Sequence, residues 1–238
     1  MATAVKRRKS RRPTRPKGRQ DIVVNGTIHI PEHVRDFATF RRWTLSPEFP
    51  DHGGVFWLGG TLWVNDEMED LPTHNLLKSE IGRVLGNLNK EGQLGYNLTD
   101  GMRLSNAETN LSVEPDVMFV TFAAVTAGRV RLKRNENGRI LEVDGAADVV
   151  VEIVSDSSTT KDERLRDLYF TSGITEYWLI DARGEETQFD IYRRGPKGFV
   201  ATPRRNGRIR SAVFDRTFRL VSEPDQLGNP DYTLEAAE

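Results

Sequence analysis

The run Asp148-Val149-Val150-Val151-Glu152-Ile153-Val154-Ser155 decides how this chain is read. In an extended strand alternate side chains face opposite ways, so Val149, Val151 and Ile153 line one face while Val150 and Val154 flank Glu152 on the other. Both faces are apolar, which is the pattern of a central strand covered on both sides. An ionised carboxylate in that setting is unfavourable unless it is paired or bound to a cation. Two readings of Glu152 stay open. Either it sits at the wet C-terminal end of the strand and pairs with an arginine, or it holds a metal ion and takes part in chemistry.

Working outward, Thr160 with Glu163 fits a capping box for a helix reaching about Thr171, with Leu165, Leu168 and Tyr169 inward and Gly173 as its C-cap. Tyr177-Trp178-Leu179-Ile180 is the next apolar strand, and a hairpin joins Phe189–Arg193 to Phe199–Thr202 across Gly195-Pro196. Upstream, Ile140–Val143 follows a turn at Asn135–Gly138, and Val117–Val120 is a strand entered through Pro115-Asp116. Strands are also expected around Gln93–Leu98 and Gly101–Leu104. A helix is expected from Thr73 to Asn89, with Leu77, Ile81, Val84, Leu85 and Leu88 as its stripe and Asp70 or Thr73 as its cap. Val55–Leu58 and Thr61–Val64 read as a hairpin around Gly59-Gly60, and Pro31–Trp43 as a short helix. The expected fold is α/β or α+β: a mixed central sheet flanked by helices, with an added N-terminal hairpin. The expected units are a basic arm over 1–20, one domain over 21–222 and a polar, fraying tail over 223–238.

Composition narrows the chemistry. The chain has 238 residues, 37% hydrophobic and 29% charged, which suits a globular protein with a sizeable core. No stretch is apolar and long enough to span a membrane, and no apolar segment follows the basic N-terminus as in a signal peptide. The expected compartment is the cytoplasm. Zero cysteines exclude disulfides, thiolate zinc sites and cysteine nucleophiles, and the four histidines show no paired ligand spacing. A metal site would use carboxylates and take a hard ion such as Mg²⁺ or Mn²⁺. The net charge of −1 conceals an asymmetry, because residues 1–20 carry nine Lys/Arg and no acid, leaving 25 basic against 35 acidic residues, a balance of −10. That arm is read three ways: a segment binding nucleic-acid phosphates, a solubilising tail, or a localisation signal.

Three features converge on one chemistry: Pro115-Asp116 opening a strand, Glu152 in an apolar strand about 36 residues later, and a polar flank on the helix at 73–89. Carboxylates from neighbouring strands can hold a divalent cation that polarises a phosphate and activates water. The ordered set His74, Pro115-Asp116-Val117, Val151-Glu152-Ile153-Val154-Ser155, Lys161-Asp162, Tyr169, Gly173-Ile174 and Glu176-Tyr177-Trp178-Leu179-Ile180-Asp181 resembles the Uma-type family of restriction-endonuclease-like proteins. That family is a branch of the PD-(D/E)XK nuclease superfamily, and the resemblance runs from about Phe56 to Phe199.

The resemblance implies a restriction-endonuclease-like core and a Mg²⁺- or Mn²⁺-dependent endonuclease acting on double-stranded DNA, with Asp116 and Glu152 as the metal carboxylates. A homodimer suits a two-stranded substrate. The superfamily pattern places a lysine two residues after the second acid, where this chain has Val154. In the Uma-type branch a basic residue on the following helix is thought to substitute. Lys161, one turn before Leu165, is preferred there, with Arg164 and Arg166 as rivals and candidate substrate contacts. All three also fit a solvated helix end. An arginine could stabilise phosphate charge but could hardly deprotonate water. Glu80 is the matching third metal ligand or, alternatively, a flank residue paired with Arg83 or Lys78, and His74 is either a phosphate contact or structural. Ser155 and Ser157 either satisfy backbone at the turn or donate to a phosphate. The alternative function is a nucleic-acid-binding module that kept the fold and lost the chemistry. A third is an interaction protein with a charged tail.

Overall fold

In the computed structural model the valine run is a central strand, hydrogen-bonded on both sides and buried at every position from 149 to 153 except Glu152. The structure describes residues 22–24, 28–50, 54–65, 71–99, 101–155 and 159–238, with backbone alone at 65, 71–72 and 159–162. The basic arm therefore lies outside the described residues. In chain order the elements are β1 (Ile22–Val24), β2 (Ile28–Ile30), α1 (Phe37–Thr44), β3 (Gly54–Leu58) and β4 (Thr61–Asn65), then a π-helical turn (Leu71–Asn75) running into α2 (Leu76–Gly92). Next come β5 (Gly95–Thr99), β6 (Arg103–Asn106), β7 (Leu111–Val113), β8 (Val117–Thr121), α3 (Phe122–Thr126), β9 (Val130–Arg134), β10 (Ile140–Gly145), β11 (Val149–Ile153) and α4 (Thr159–Thr171). The chain closes with β12 (Glu176–Asp181), β13 (Gln188–Arg194), β14 (Phe199–Ala201), β15 (Arg204–Arg205), β16 (Arg208–Ser211), β17 (Arg216–Pro224) and β18 (Pro230–Ala237).

The class is mixed α+β, as expected, but with two six-stranded sheets where one was expected. The sheet that contains β11 runs β14-β13-β12-β11-β8-β5. Within it β11 and β12 are parallel, joined through α4, and β11 pairs antiparallel with β8. The other runs β4-β3-β7-β6-β10-β9. Alternation along β11 sorts its side chains into two cores. Val149, Val151 and Ile153 pack with Leu77, Ile81 and Leu85 of α2 and with Phe218, Tyr232 and Leu234 of the C-terminal strands. Val150 packs on the opposite face with Leu165 and Tyr169 of α4 and with Leu104, Leu111 and Val143 of the second sheet.

Close backbone approach requires glycine at one point in the first sheet. A Cβ on Gly95 would stand 2.0 Å from the Val120 carbonyl oxygen, so only glycine lets β5 lie against β8. At the N-terminal side Arg41 of α1 reaches the fully buried Glu142 of β10, which Ser105 Oγ also meets at 2.8 Å. This ties α1 to the second sheet.

Several expected boundaries move. The helix assigned to Pro31–Trp43 starts only at Phe37, because the Asp36 side chain accepts from Thr39 N in a reciprocal capping box. The helix expected from Thr73 starts at Leu76 behind the π-helical turn and runs on to Gly92, where Gln93 adopts a left-handed conformation. Asp70, one of its expected caps, lies outside the described residues. The largest correction concerns 223–238. This segment is not a fraying tail: β17 and β18 pair antiparallel in a continuous register from Thr217–Ala237 to Pro224–Pro230, and Tyr232 and Leu234 are buried against α2 and the sheet. Its polar residues alternate with these two, so one face of a half-buried strand looks like a solvated tail when only composition is read.

Candidate active site

Antiparallel pairing brings the two sequence-predicted acids to the same end of one sheet. The β8–β11 ladder ends at the pair Val117–Val151. Asp116 stands one residue before Val117 and Glu152 one residue after Val151, so the register carries both to one level. Asp116 is locked there, because its Oδ2 accepts a 2.8 Å hydrogen bond from the Ile153 amide.

Helix α2 and the turn before it cover this end of the sheet. His74 Nε2 lies 3.4 Å and Lys78 Nζ 3.5 Å from Asp116 Oδ1. The two residues are four apart, which places them on one helical face. Burial opposes ionisation of Asp116, whose side chain is only 13% exposed. The hydrogen bond from His74, the charges of His74 and Lys78, and the Ile153 amide outweigh it and hold this carboxyl below the usual aspartate range.

Glu152 is approached from the other side by α4. The buried Tyr169 hydroxyl donates to Glu152 Oε1 at 2.5 Å. Burial, then the charge and hydrogen bond of Glu152, then the charges of Tyr177 and Asp116, push the Tyr169 phenol well above its ordinary value of 10. It therefore stays protonated and remains a donor. Both acids act electrostatically on one phenol, a second sign that they share a neighbourhood.

The remaining predicted residues divide. Lys161 belongs to the first turn of α4, and its side chain lies outside the described residues. Arg164 is bound to the β3–β4 turn through the Gly59 carbonyl at 3.0 Å. Arg166 donates to the Phe199 carbonyl at 3.3 Å and lies over the Tyr192 ring at 4.4 Å. These two arginines fasten α4 to the fold. Glu80 is not brought to the pair. It grips Arg83 at 2.7 Å and accepts from the Leu234 amide at 2.8 Å, so it clasps β18 from another face of α2. Ser155 contributes its carbonyl to Arg183 at 3.4 Å, and Ser157 lies outside the described residues.

Two residues of this neighbourhood were not singled out from sequence as site residues. Lys78 follows His74 by one turn, inside a stripe of Leu77, Ile81 and Leu85, and that spacing was the available signal. Tyr169 was placed inward but not against Glu152. Among the described residues no three His, Cys, Asp or Glu side chains form a ready-made metal cage. The pair Asp116 and Glu152 nonetheless fits a hard divalent ion by donor chemistry: two carboxylates, one of them held ionised under cover.

No curated protein matches the chain. Among solved structures the chain is similar to "a putative nuclease belonging to DUF820" from Anabaena variabilis ATCC 29413, with 19% identity, a TM-score of 0.56, and coverage of 76% of this chain and 90% of that one. At that identity the likeness establishes a shared fold. Residues 37–221 match the family Uma2, described as "Putative restriction endonuclease". With most of its length covered by that match, the chain belongs to the Uma2 family.

Proposed function

We propose that this protein is a divalent-metal-dependent endonuclease that hydrolyses phosphodiester bonds in double-stranded DNA. Membership of a family described as a restriction endonuclease, and a fold shared with a nuclease, support the hydrolytic class. The observation that carries the finer reading is Asp116. It stands level with Glu152, and His74, Lys78 and the Ile153 amide keep it charged despite its burial.

In this reading Asp116 and Glu152 hold Mg²⁺ or Mn²⁺. Such an ion would polarise the scissile phosphate and lower the pKa of the attacking water. The chain's own residues arrange the rest. Tyr169 fixes the rotamer of Glu152 through its hydroxyl, and the Ile153 amide fixes that of Asp116. His74 keeps the Asp116 charge in place and stands beside the path of a phosphate. Lys161, at the start of α4, orients the attacking water. Glu80 stays outside the metal shell, occupied by Arg83 and β18.

Plasmid cleavage with Mg²⁺ or Mn²⁺ tests this. The parent chain should nick or linearise the plasmid, and Asp116→Ala and Glu152→Ala should lose about 100-fold or more of the rate, as expected when a group that stabilises transition-state charge is lost. Glu80→Ala should cut like the parent. Equal rates for parent, Asp116→Ala and Glu152→Ala would end the assignment.

Val154 motivates a second reading, a DNA-binding module without catalysis, since an apolar residue stands where a lysine is usual. Duplex binding in a mobility shift, without calorimetric Mn²⁺ binding that depends on Asp116 and Glu152, would favour it.

A further inference from the structure

Helix α2 gives the sheet apolar residues at Leu77, Ile81, Val84 and Leu85, yet Lys78 is buried beside them at 7% exposure. Its Nζ lies 3.5 Å from Asp116 Oδ1, beside the carboxylate proposed to hold the metal. Lysine is a compact, strongly hydrated point charge on a flexible stem, and burying one is unfavourable unless its charge is used. Here the stem is covered and the head stands at the end of the sheet where both acids emerge. The arginines of α4 are committed to the Gly59 and Phe199 carbonyls, and residue 154 is apolar.

We infer that Lys78 is a catalytic residue of this site, contacting a non-bridging oxygen of the scissile phosphate from the α2 side. The inference rests on the nuclease reading above and adds a cation from the helix that precedes Asp116 in the chain, not the helix that follows Glu152. In hydrolysis a water oxygen bonds to phosphorus as the phosphorus–oxygen bond to one sugar breaks. The water releases a proton to solvent and the departing oxygen takes one up. Negative charge on the phosphoryl oxygens is best stabilised by a fixed cation in a covered site. Lys78 takes no part in either proton transfer. His74, 3.4 Å from the same Asp116 oxygen, stays beside Asp116 while the lysine head engages the phosphate.

The test uses the full chain and its Lys78→Met, Lys78→Gln, Lys78→Arg and Glu152→Ala variants. Single-turnover cleavage of a labelled duplex is measured at saturating Mn²⁺, alongside calorimetric Mn²⁺ affinity. Duplex binding is followed by fluorescence anisotropy across a salt series with Ca²⁺ as the divalent ion. Lys78→Met should lower the cleavage rate constant about 100-fold, the scale of losing one preorganised charge-stabilising group. Its Mn²⁺ affinity should hold, and Lys78→Arg should recover part of the rate. The slope of log affinity on log salt should fall by about one, as for one lost phosphate contact.

Lys78→Gln serves if the methionine variant does not fold. Parent-like rates in Lys78→Met or Lys78→Gln, with Glu152→Ala inactive, overturn this inference and leave the nuclease reading intact. A rate loss that tracks lost Mn²⁺ affinity and is not rescued by Lys78→Arg also overturns it, making Lys78 a mere support of Asp116. If the parent does not cut, the nuclease reading fails. The catalytic role of Lys78 falls with it, and the salt slope then decides only whether Lys78 contacts a phosphate: a drop of about one says that it does, and an unchanged slope that it does not.

Discussion

Asp116 is a buried acid whose charge the surrounding structure favours. Its carboxyl is held below the unfolded value of 3.8, so its ionisation stabilises the folded protein at every pH above that value. The contribution is lost as pH falls through the folded value, where the carboxyl takes up its proton. In chelator, so that no metal contributes, the parent should exceed Asp116→Asn in unfolding free energy near neutral pH, and the gap should close as pH drops below about 4. Denaturant unfolding at a series of pH values measures it. A gap that widens on acidification would contradict the ion-pair account. Both acids were legible in the sequence for a local reason: a charged residue within an apolar alternating run, and a Pro-Asp entry to a strand, stand out without knowledge of neighbours. Lys78 did not stand out. A lysine beside a leucine stripe looks like any helix flank until the sheet closes over it.

At the scale of elements, the C-terminal meander of β15–β18 hangs on one buried side chain. Glu176 of β12 is 2% exposed. Its Oε1 accepts from the Ala212 and Val213 amides at 2.6 and 3.2 Å, and its Oε2 from Trp178 Nε1 and Ser211 Oγ at 3.0 and 2.7 Å. A carboxylate can accept four such donors; a glutamine amide must turn its own NH₂ towards two of them. Glu176→Gln should therefore lower stability by about 3 kcal/mol in denaturant unfolding. Amide exchange should quicken first in 208–237. A change within about 0.5 kcal/mol would place the anchorage elsewhere, in the apolar contacts of Phe214 and Phe218 around Trp178. Glu176 was legible as part of a family-like run but not as a staple, because three of its four donors come from 35 to 37 residues away.

For the whole molecule, charge is divided between an arm and a body. The body balance of −10 repels a polyanion at long range, and the nine cations of residues 1–20 offset it. Deleting residues 1–20 should weaken duplex binding and flatten the dependence of log affinity on log salt, because fewer counterions are released. Fluorescence anisotropy between about 50 and 200 mM salt reads both quantities. An unchanged slope would assign the arm a role apart from DNA.

The sequence by itself determined the class of the fold, the central strand and the β3–β4 hairpin, and it made the two acids stand out as candidates. Each of these rests on periodicity or on turn chemistry within a dozen residues. Tertiary structure alone decided the second six-stranded sheet, the packing of 223–238 as a strand, the diversion of Glu80, Arg164 and Arg166 to structural duties, and the meeting of His74, Lys78 and Tyr169 with the acid pair. The physical reason is that a strand's partner and a polar side chain's destination depend on which distant surfaces the hydrophobic cores press together, and no local pattern encodes that pairing.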